Sequence, residues 1–120
     1  MLQQQIHLTD EWIKSYAMAI ESPTIRIDGK LMAPSTMIVI FWQLFPESPI
    51  ARHEMWQHVK QKCTYQTPLL ANMTLDCQLE QVKRKKIKHA LYKMFKLSCF
   101  NEGQLIAESY TTLMRDDVNE

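Results

Sequence analysis

The sequence predicts an α+β domain in which a curved antiparallel sheet wraps a central helix. Three observations predict it. The run Met37-Ile-Val-Ile-Phe-Trp-Gln-Leu-Phe45 is apolar almost all round, and a helix of that kind has to be covered by other structure. From Met55 onward the patterning changes to strands, with Met73, Leu75, Cys77 and Leu79 alternating with Thr74, Asp76, Gln78 and Glu80 at a period of two. Asn101-Glu102-Gly103 is a strong hairpin turn signal between two such strands. A chain of 120 residues is one domain on size. Two helices followed by about four antiparallel strands then leave few arrangements that bury the apolar run.

Taken in order, Gln3 to Leu8 reads as a short edge strand. Thr9 follows as an N-cap, with Asp10 and Glu11 in the first turn, where carboxylates suit the helix dipole. Trp12, Ile13, Tyr16, Ala17 and Ile20 share one face of that helix, and Pro23 stops it. Thr24 to Lys30 is a short connector with a turn at Asp28-Gly29. Ala33-Pro34-Ser35-Thr36 launches the apolar run. Ile38, Val39 and Ile40 would suit a strand, but the run exceeds the usual strand of about 5–6 residues and follows a proline, a favoured first helical residue. Helix is the better reading, and it is too short to span a bilayer, which takes about 20 apolar residues. Pro46 to Glu54 is a loop. Met55 to Tyr65 is the first long strand and ends at Thr67-Pro68. Lys83-Arg84-Lys85-Lys86 is a hairpin tip or an exposed strand end. Ile87 to Phe100 and Gln104 to Met114 are the last two strands, and Arg115 to Glu120 is a polar tail. Tyr92, Met94 and Phe100 fall on the sheet face that the helix does not cover, so they are expected to be exposed unless a second copy covers them.

Composition is that of an ordinary globular domain, 46% hydrophobic and 22% charged, with two glycines and five prolines, too few for a long linker. A net charge of +1 gives no overall field to recruit nucleic acid or an anionic membrane. Met1-Leu-Gln-Gln-Gln-Ile-His7 lacks the charged and apolar regions of a signal peptide, so a cytoplasmic protein is expected. Cys63, Cys77 and Cys99 are odd in number and show no Cys-x-x-Cys spacing; buried thiols are expected, with no disulfide, metal or cofactor.

Four segments carry a family resemblance. Glu11-Trp-Ile-Lys-Ser-Tyr-Ala-Met-Ala-Ile20 resembles a first helix that ends in an Ala-Ile-Gly-Asp-Pro type turn. Met32-Ala-Pro-Ser-Thr36 resembles an Ala-Pro-Pro-Thr type lead into a central helix, and Tyr65-Gln-Thr-Pro-Leu69 a Tyr-x-Arg-Pro-Leu type step before a strand. Gly103-Gln-Leu-Ile-Ala-Glu-Ser109 resembles a Gly-x-Leu-Val-Ala-Glu type hairpin arm. In this order they resemble the hotdog-fold proteins of the MaoC-like dehydratase group, the single-hotdog halves of acyl-thioester hydratases and dehydratases in particular. The resemblance implies a hotdog fold and a homodimer or heterodimer with a homologous hotdog chain. It also implies an acyl thioester as ligand, carried on coenzyme A or on an acyl carrier protein.

Hydrating an enoyl thioester takes a group that activates water and a proton donor for the α carbon. It also takes donors that hold the thioester oxygen as it gains enolate character. In the resembled family an Asp and a His do the proton work, in an Asp-x-Asn-Pro-x-His type motif after the first helix. The central helix supplies N–H groups to the oxygen. The matching stretch here is Glu21-Ser22-Pro23-Thr24-Ile25-Arg26-Ile27, so Ser22 falls where the Asp belongs and Ile27 where the His belongs. Ile27 cannot transfer a proton, and Ser22 is a poor base without a neighbour to activate it. Glu21 or Asp28 remains as a substitute carboxylate. His7, His53, His58 and His89 lie outside the stretch. Ala33, Pro34, Ser35 and Thr36 still begin a helix with free N–H groups suited to a thioester oxygen. Pro34 and Thr36 equally suit the plain task of starting and capping a core helix.

The leading expectation is a hotdog domain that binds an acyl thioester without turnover, or supports a catalytic homologue. A divergent hydratase or thioester hydrolase using Glu21 or Asp28 is the second reading, and a structural or regulatory module without a thioester ligand the third. Lys83, Arg84, Lys85 and Lys86 suit the phosphates of coenzyme A or an acidic carrier protein, and also a solvated turn. Tyr65 suits a ligand contact or an ordinary strand end. Trp12, Trp42 and Trp56, with Phe41 and Phe45, suit an acyl tunnel or plain core. The eight methionines suit a deformable pocket or gap filling. Cys63 lacks an identifiable His partner for a thioesterase role.

Overall fold

A computed structural model describes residues 1–45 and 56–116. The elements run β1 (Leu2–His7), α1 (Asp10–Ala19), β2 (Ile25–Ile27), β3 (Lys30–Met32) and a 3-10 helix (Met37–Leu44). They continue with β4 (Gln57–Tyr65), β5 (Thr74–Ile87), β6 (Ala90–Asn101) and β7 (Gln104–Asp116). The loop expected at 46–54, Met55, and the tail from 117 on lie outside the described residues. Arg115 and Asp116, expected in that tail, extend β7 instead.

One antiparallel sheet of five strands has the order β1-β5-β6-β7-β4. Its alternation is the one the sequence shows: Leu75, Cys77 and Leu79 of β5 are buried, and so are Phe95, Leu97 and Cys99 of β6. These side chains line the concave face. Met37, Ile38, Phe41 and Phe45 pack into it, with Leu8 and Ile13 closing the cluster.

The central helix is present, but its form and its coverage differ from expectation. It is a 3-10 helix of eight residues, longer than such helices usually run. Its bonds reach three residues back, from Met37 N–H to Pro34 O at 2.9 Å and from Val39 N–H to Thr36 O at 3.1 Å. Three consecutive β-branched residues, Ile38, Val39 and Ile40, crowd an α turn and are consistent with the tighter winding. It is also not enclosed on every side. Leu44 is 42% exposed, and Val39, Ile40 and Trp42 are half-buried. One sheet covers one side of a rod, and this chain supplies one large sheet.

Helix α1 starts as expected: Thr9 Oγ1 accepts from Trp12 N–H at 3.1 Å. Ile13 and Ala17 are buried, while Ile20 is 44% exposed because the helix ends at Ala19, before Pro23 acts. The stop is a left-handed turn at Glu21, φ 55°. Glu21 N–H bonds Met18 O at 3.1 Å and Ser22 N–H bonds Ala17 O at 2.9 Å, the paired closure of a Schellman motif.

The connector after α1 forms a small hairpin of its own, β2 against β3. Asp28 and Gly29 turn it with φ 51° and 80°, and Glu102 and Gly103 turn β6 into β7 with the same two angles. Positive φ at both central residues is what a two-residue hairpin turn of type I′ requires. Lys83–Lys86 lie within β5 rather than at a tip, Ile87 closes β5, and the turn is Lys88-His89. Tyr92, Met94 and Phe100 are half-buried rather than exposed. Cross-strand neighbours flank two of them, Lys85 and Met114 beside Tyr92, and Lys83 and Thr112 beside Met94. No helix among the described residues is long and apolar enough to cross a membrane.

Candidate functional site

A cleft of about 260 Å³ opens between the lead-in turn of the central helix (Met32, Ala33, Ser35) and the chain leaving β4 (Tyr65 to Leu69). Backbone bonds fix both walls. Ala33 N–H donates to Leu69 O and Ala71 N–H to Leu31 O, each at 2.8 Å, which clips β3 to the segment before β5. Gln66 N–H donates to Ile106 O at 2.8 Å and holds the other wall to β7. The Tyr65 hydroxyl donates to Ser35 O across the cleft. Burial pushes the Tyr65 phenol above its ordinary range, and Cys63 and Cys99 push the same way, so Tyr65 stays a protonated donor.

Thr36 does not cap the helix. Its backbone is already helical, at φ −85° and ψ −10°, and its side chain makes no capping bond. Its Oγ1 lies 2.8 Å from the Tyr16 hydroxyl, tying α1 to the lead-in turn. Met37 N–H is taken by Pro34 O and Ala33 N–H by Leu69 O, and Pro34 has no N–H, so Ser35 and Thr36 carry the N–H groups that the turn leaves without a helical acceptor; Ala33 and Ser35 line the cleft.

The cleft lining holds no His, Asp, Glu or Cys among the described residues. Glu21 and Asp28 are both exposed in turns, and neither lines the cleft. Ser22 directs its hydroxyl to Pro23 O at 3.3 Å. His7 bonds Thr74 Oγ1 at 2.9 Å across β1 and β5, His58 sits near the start of β4 and His89 in the β5–β6 turn; His53 lies outside the described residues.

Lys83 to Lys86 are remote from the cleft. Cys77, Cys99, Ala107 and Tyr65 form one row across the sheet, and the basic run begins six residues further along β5, about 20–30 Å away at the rise of a strand. Trp12 stacks on Phe41 with centroids 5.6 Å apart, as core, and Trp56 lies between Lys93 at 5.0 Å and Arg115 at 4.8 Å. The three cysteines are free thiols. Cys77 and Cys99 are buried with sulfurs 3.5 Å apart, and that hydrogen bond, with burial, pushes the Cys77 thiol up, away from the nucleophilic thiolate.

One feature of the concave face escapes sequence reasoning. Gln61 and Cys63 of β4 meet Ser109 and Thr111 of β7: Thr111 Oγ1 donates to Gln61 Oε1 at 2.8 Å, Gln61 Nε2 donates to Ser109 Oγ, and Cys63 Sγ lies 3.6 Å from Ser109 Oγ. Ser109 and Thr111 are 2% and 3% exposed. The available signal was a serine and a threonine in register with Ala107 and Leu113, at positions where β7 should be apolar.

No protein-family model and no curated protein sequence matches the chain. Solved structures do. The C-terminally truncated HadBC (3R-hydroxyacyl-ACP dehydratase) complex of Mycobacterium tuberculosis matches over 95% of this chain and 93% of its own, at 20% identity and a TM-score of 0.83. The ChsH1–ChsH2 complex of the same organism matches over 96% and 83%, at 13% identity and a TM-score of 0.75. The (R)-hydratase from A. caviae involved in PHA biosynthesis matches over 92% and 90%, at 8% identity and a TM-score of 0.73. At these identities the likeness defines the fold. The chain is a hotdog-fold domain of the shape found in MaoC-like dehydratases.

Proposed function

We propose that this chain binds an acyl thioester, on coenzyme A or a carrier protein, as the non-catalytic member of a pair of hotdog chains. Its partner would carry the Asp and His of a 3-hydroxyacyl-thioester dehydratase or enoyl hydratase. The observation that supports this best is the cleft at the start of the central helix. Ala33 N–H is taken by Leu69 O and Pro34 has no N–H, so the donors that this turn keeps for a thioester oxygen are the N–H groups of Ser35 and Thr36; an apolar wall stands beside them, the Tyr65 hydroxyl is held by Ser35 O, and no His, Asp, Glu or Cys lines the cleft among the described residues. A site that can hold charge on an oxygen but cannot shuttle a proton binds without turnover. The HadBC and ChsH1–ChsH2 structures that this fold matches are both complexes, which favours a partner chain here. Three free thiols fit a reducing cytoplasm.

Thermal melting with a panel of acyl-coenzyme A compounds tests the reading. A ligand that binds only the folded state adds about 2.7 kcal/mol at 100 times its dissociation constant, and a rise in melting temperature is expected for at least one chain length. Hydration of crotonyl-coenzyme A by the chain alone is expected to be negligible. A flat response across all chain lengths would replace this reading with a structural module, and robust turnover would replace it with an enzyme.

A further inference from the structure

We infer that Lys60 and Lys62, on the open edge strand β4, are the residues that refuse a second copy of this chain and admit an unlike one. The inference rests on the pairing proposed above and names the partner's chemistry. Among the described residues β4 is a sheet edge, bonded to β7 on one side, and an open edge is a template for another strand. It is nine residues long, with Val59 47% exposed at a bulge between His58 and Lys60.

The charges on that edge select what can pair with it. Lys60 lies opposite Thr112 and Lys62 opposite Tyr110, both on the convex face. Both lysines are exposed. Among the described residues no carboxylate pairs with either; Glu108, on the same face, is held by Lys96 at 3.2 Å. A cleft of about 330 Å³ runs between the two lysines over Met94, Tyr110 and Thr112, room for side chains from a facing strand.

Antiparallel pairing of β4 with its own copy, concave faces on the same side, brings these lysines together when the two-fold axis falls anywhere from Lys60 to Lys62. A two-fold axis at Gln61 sets each Lys60 against the other copy's Lys62. An axis at either lysine sets that residue against itself. Like charges directly opposite destabilise a strand pair, and opposite charges stabilise it. A facing strand with Asp or Glu at the two positions turns both repulsions into attractions, a change of about tenfold to a hundredfold in the dimer equilibrium at low salt. The partner is therefore a chain whose edge strand carries carboxylates on its convex face.

Sedimentation equilibrium on three proteins tests this: wild type, Lys60→Glu/Lys62→Glu, and the neutral Lys60→Gln/Lys62→Gln. An equimolar mixture of the wild type and the Glu variant should dimerise at a concentration at least about tenfold lower than either alone. That advantage should vanish near 1 M salt, where screening acts within about 3 Å. The Gln variant should self-associate more tightly than the wild type. A wild-type homodimer as tight as the mixture, or a Gln variant no tighter than the wild type, overturns the inference. The readout is mass alone, so that failure would leave thioester binding, read by melting, where it stood.

Discussion

Tyr65 joins parts of the chain that lie far apart in sequence: it ends β4, sits beside Cys63 and Cys99, and bonds the carbonyl of Ser35. Replacing it by Phe removes the donor and leaves that carbonyl without it, so Tyr65→Phe should lower the unfolding free energy by about 1 kcal/mol in a urea titration. The pH dependence follows from burial. The folded phenol has its pKa raised above the ordinary value of about 10, so the contribution is complete below pH 10 and is lost as pH rises through the folded-state value. The two proteins should therefore run parallel up to about pH 10, and above it the wild type should lose melting temperature more steeply than the Phe variant; parallel curves above about pH 10 would remove Tyr65 as the cause. At this scale the family resemblance singled out Tyr65 and Ser35, and both line the same cleft. Residue chemistry alone misread Thr36, whose hydroxyl turned to Tyr16 rather than to the helix. The Gln61–Ser109–Thr111 network was out of reach for another reason: its members meet only through the pairing of β4 with β7, which no local pattern specifies.

Elements were legible where one local signal dominated. Period-two alternation placed β5, and glycine-containing turn chemistry placed the hairpin at Glu102-Gly103 and the turn at Asp28-Gly29, whereas the Lys88-His89 turn carries no such signal. Gly103 offers a clean measure of the second. It sits at φ 80°, and a Cβ added there would meet nothing within 4 Å, so Gly103→Ala feels the backbone and no clash. The expected loss is about 1 kcal/mol, seen as a lower urea midpoint at unchanged slope; an unaffected midpoint would mean that the turn tolerates a side chain as Glu102 already does at φ 51°. The central helix was legible in existence and position but not in winding. An apolar nonamer reports that it is buried, whereas the choice between α and 3-10 depends on side-chain crowding and on a lead-in turn held by Tyr16 and Tyr65 from outside the segment. Its open side has the same origin: burial read from sequence does not say which chain supplies the cover.

For the whole molecule, a net charge of +1 conceals a separation of charge. Lys83, Arg84, Lys85 and Lys88 stand at one end of the sheet, where Asp116 is the carboxylate among the described residues of β5, β6 and β7 that border them. Because β5 alternates its faces, Lys83 and Lys85 project on the convex side and Arg84 on the concave side, opposite Lys93. Net charge predicts long-range behaviour only when charges are mixed within a screening length of about 8–10 Å. Here the cationic end lies about 20–30 Å from the cleft, so a surface facing that end meets a strong local field. The consequence is measurable on a cation exchanger at pH 8, slightly above the sequence pI of about 7.7. A uniformly charged chain would pass through, whereas this one should be retained at low salt and released as screening shortens. Lys83→Gln/Arg84→Gln/Lys85→Gln should abolish retention without lowering the melting temperature, because all three side chains are exposed. If the wild type flows through under the same conditions, the end carries no effective excess of positive charge, and the basic run reverts to a solvated strand face.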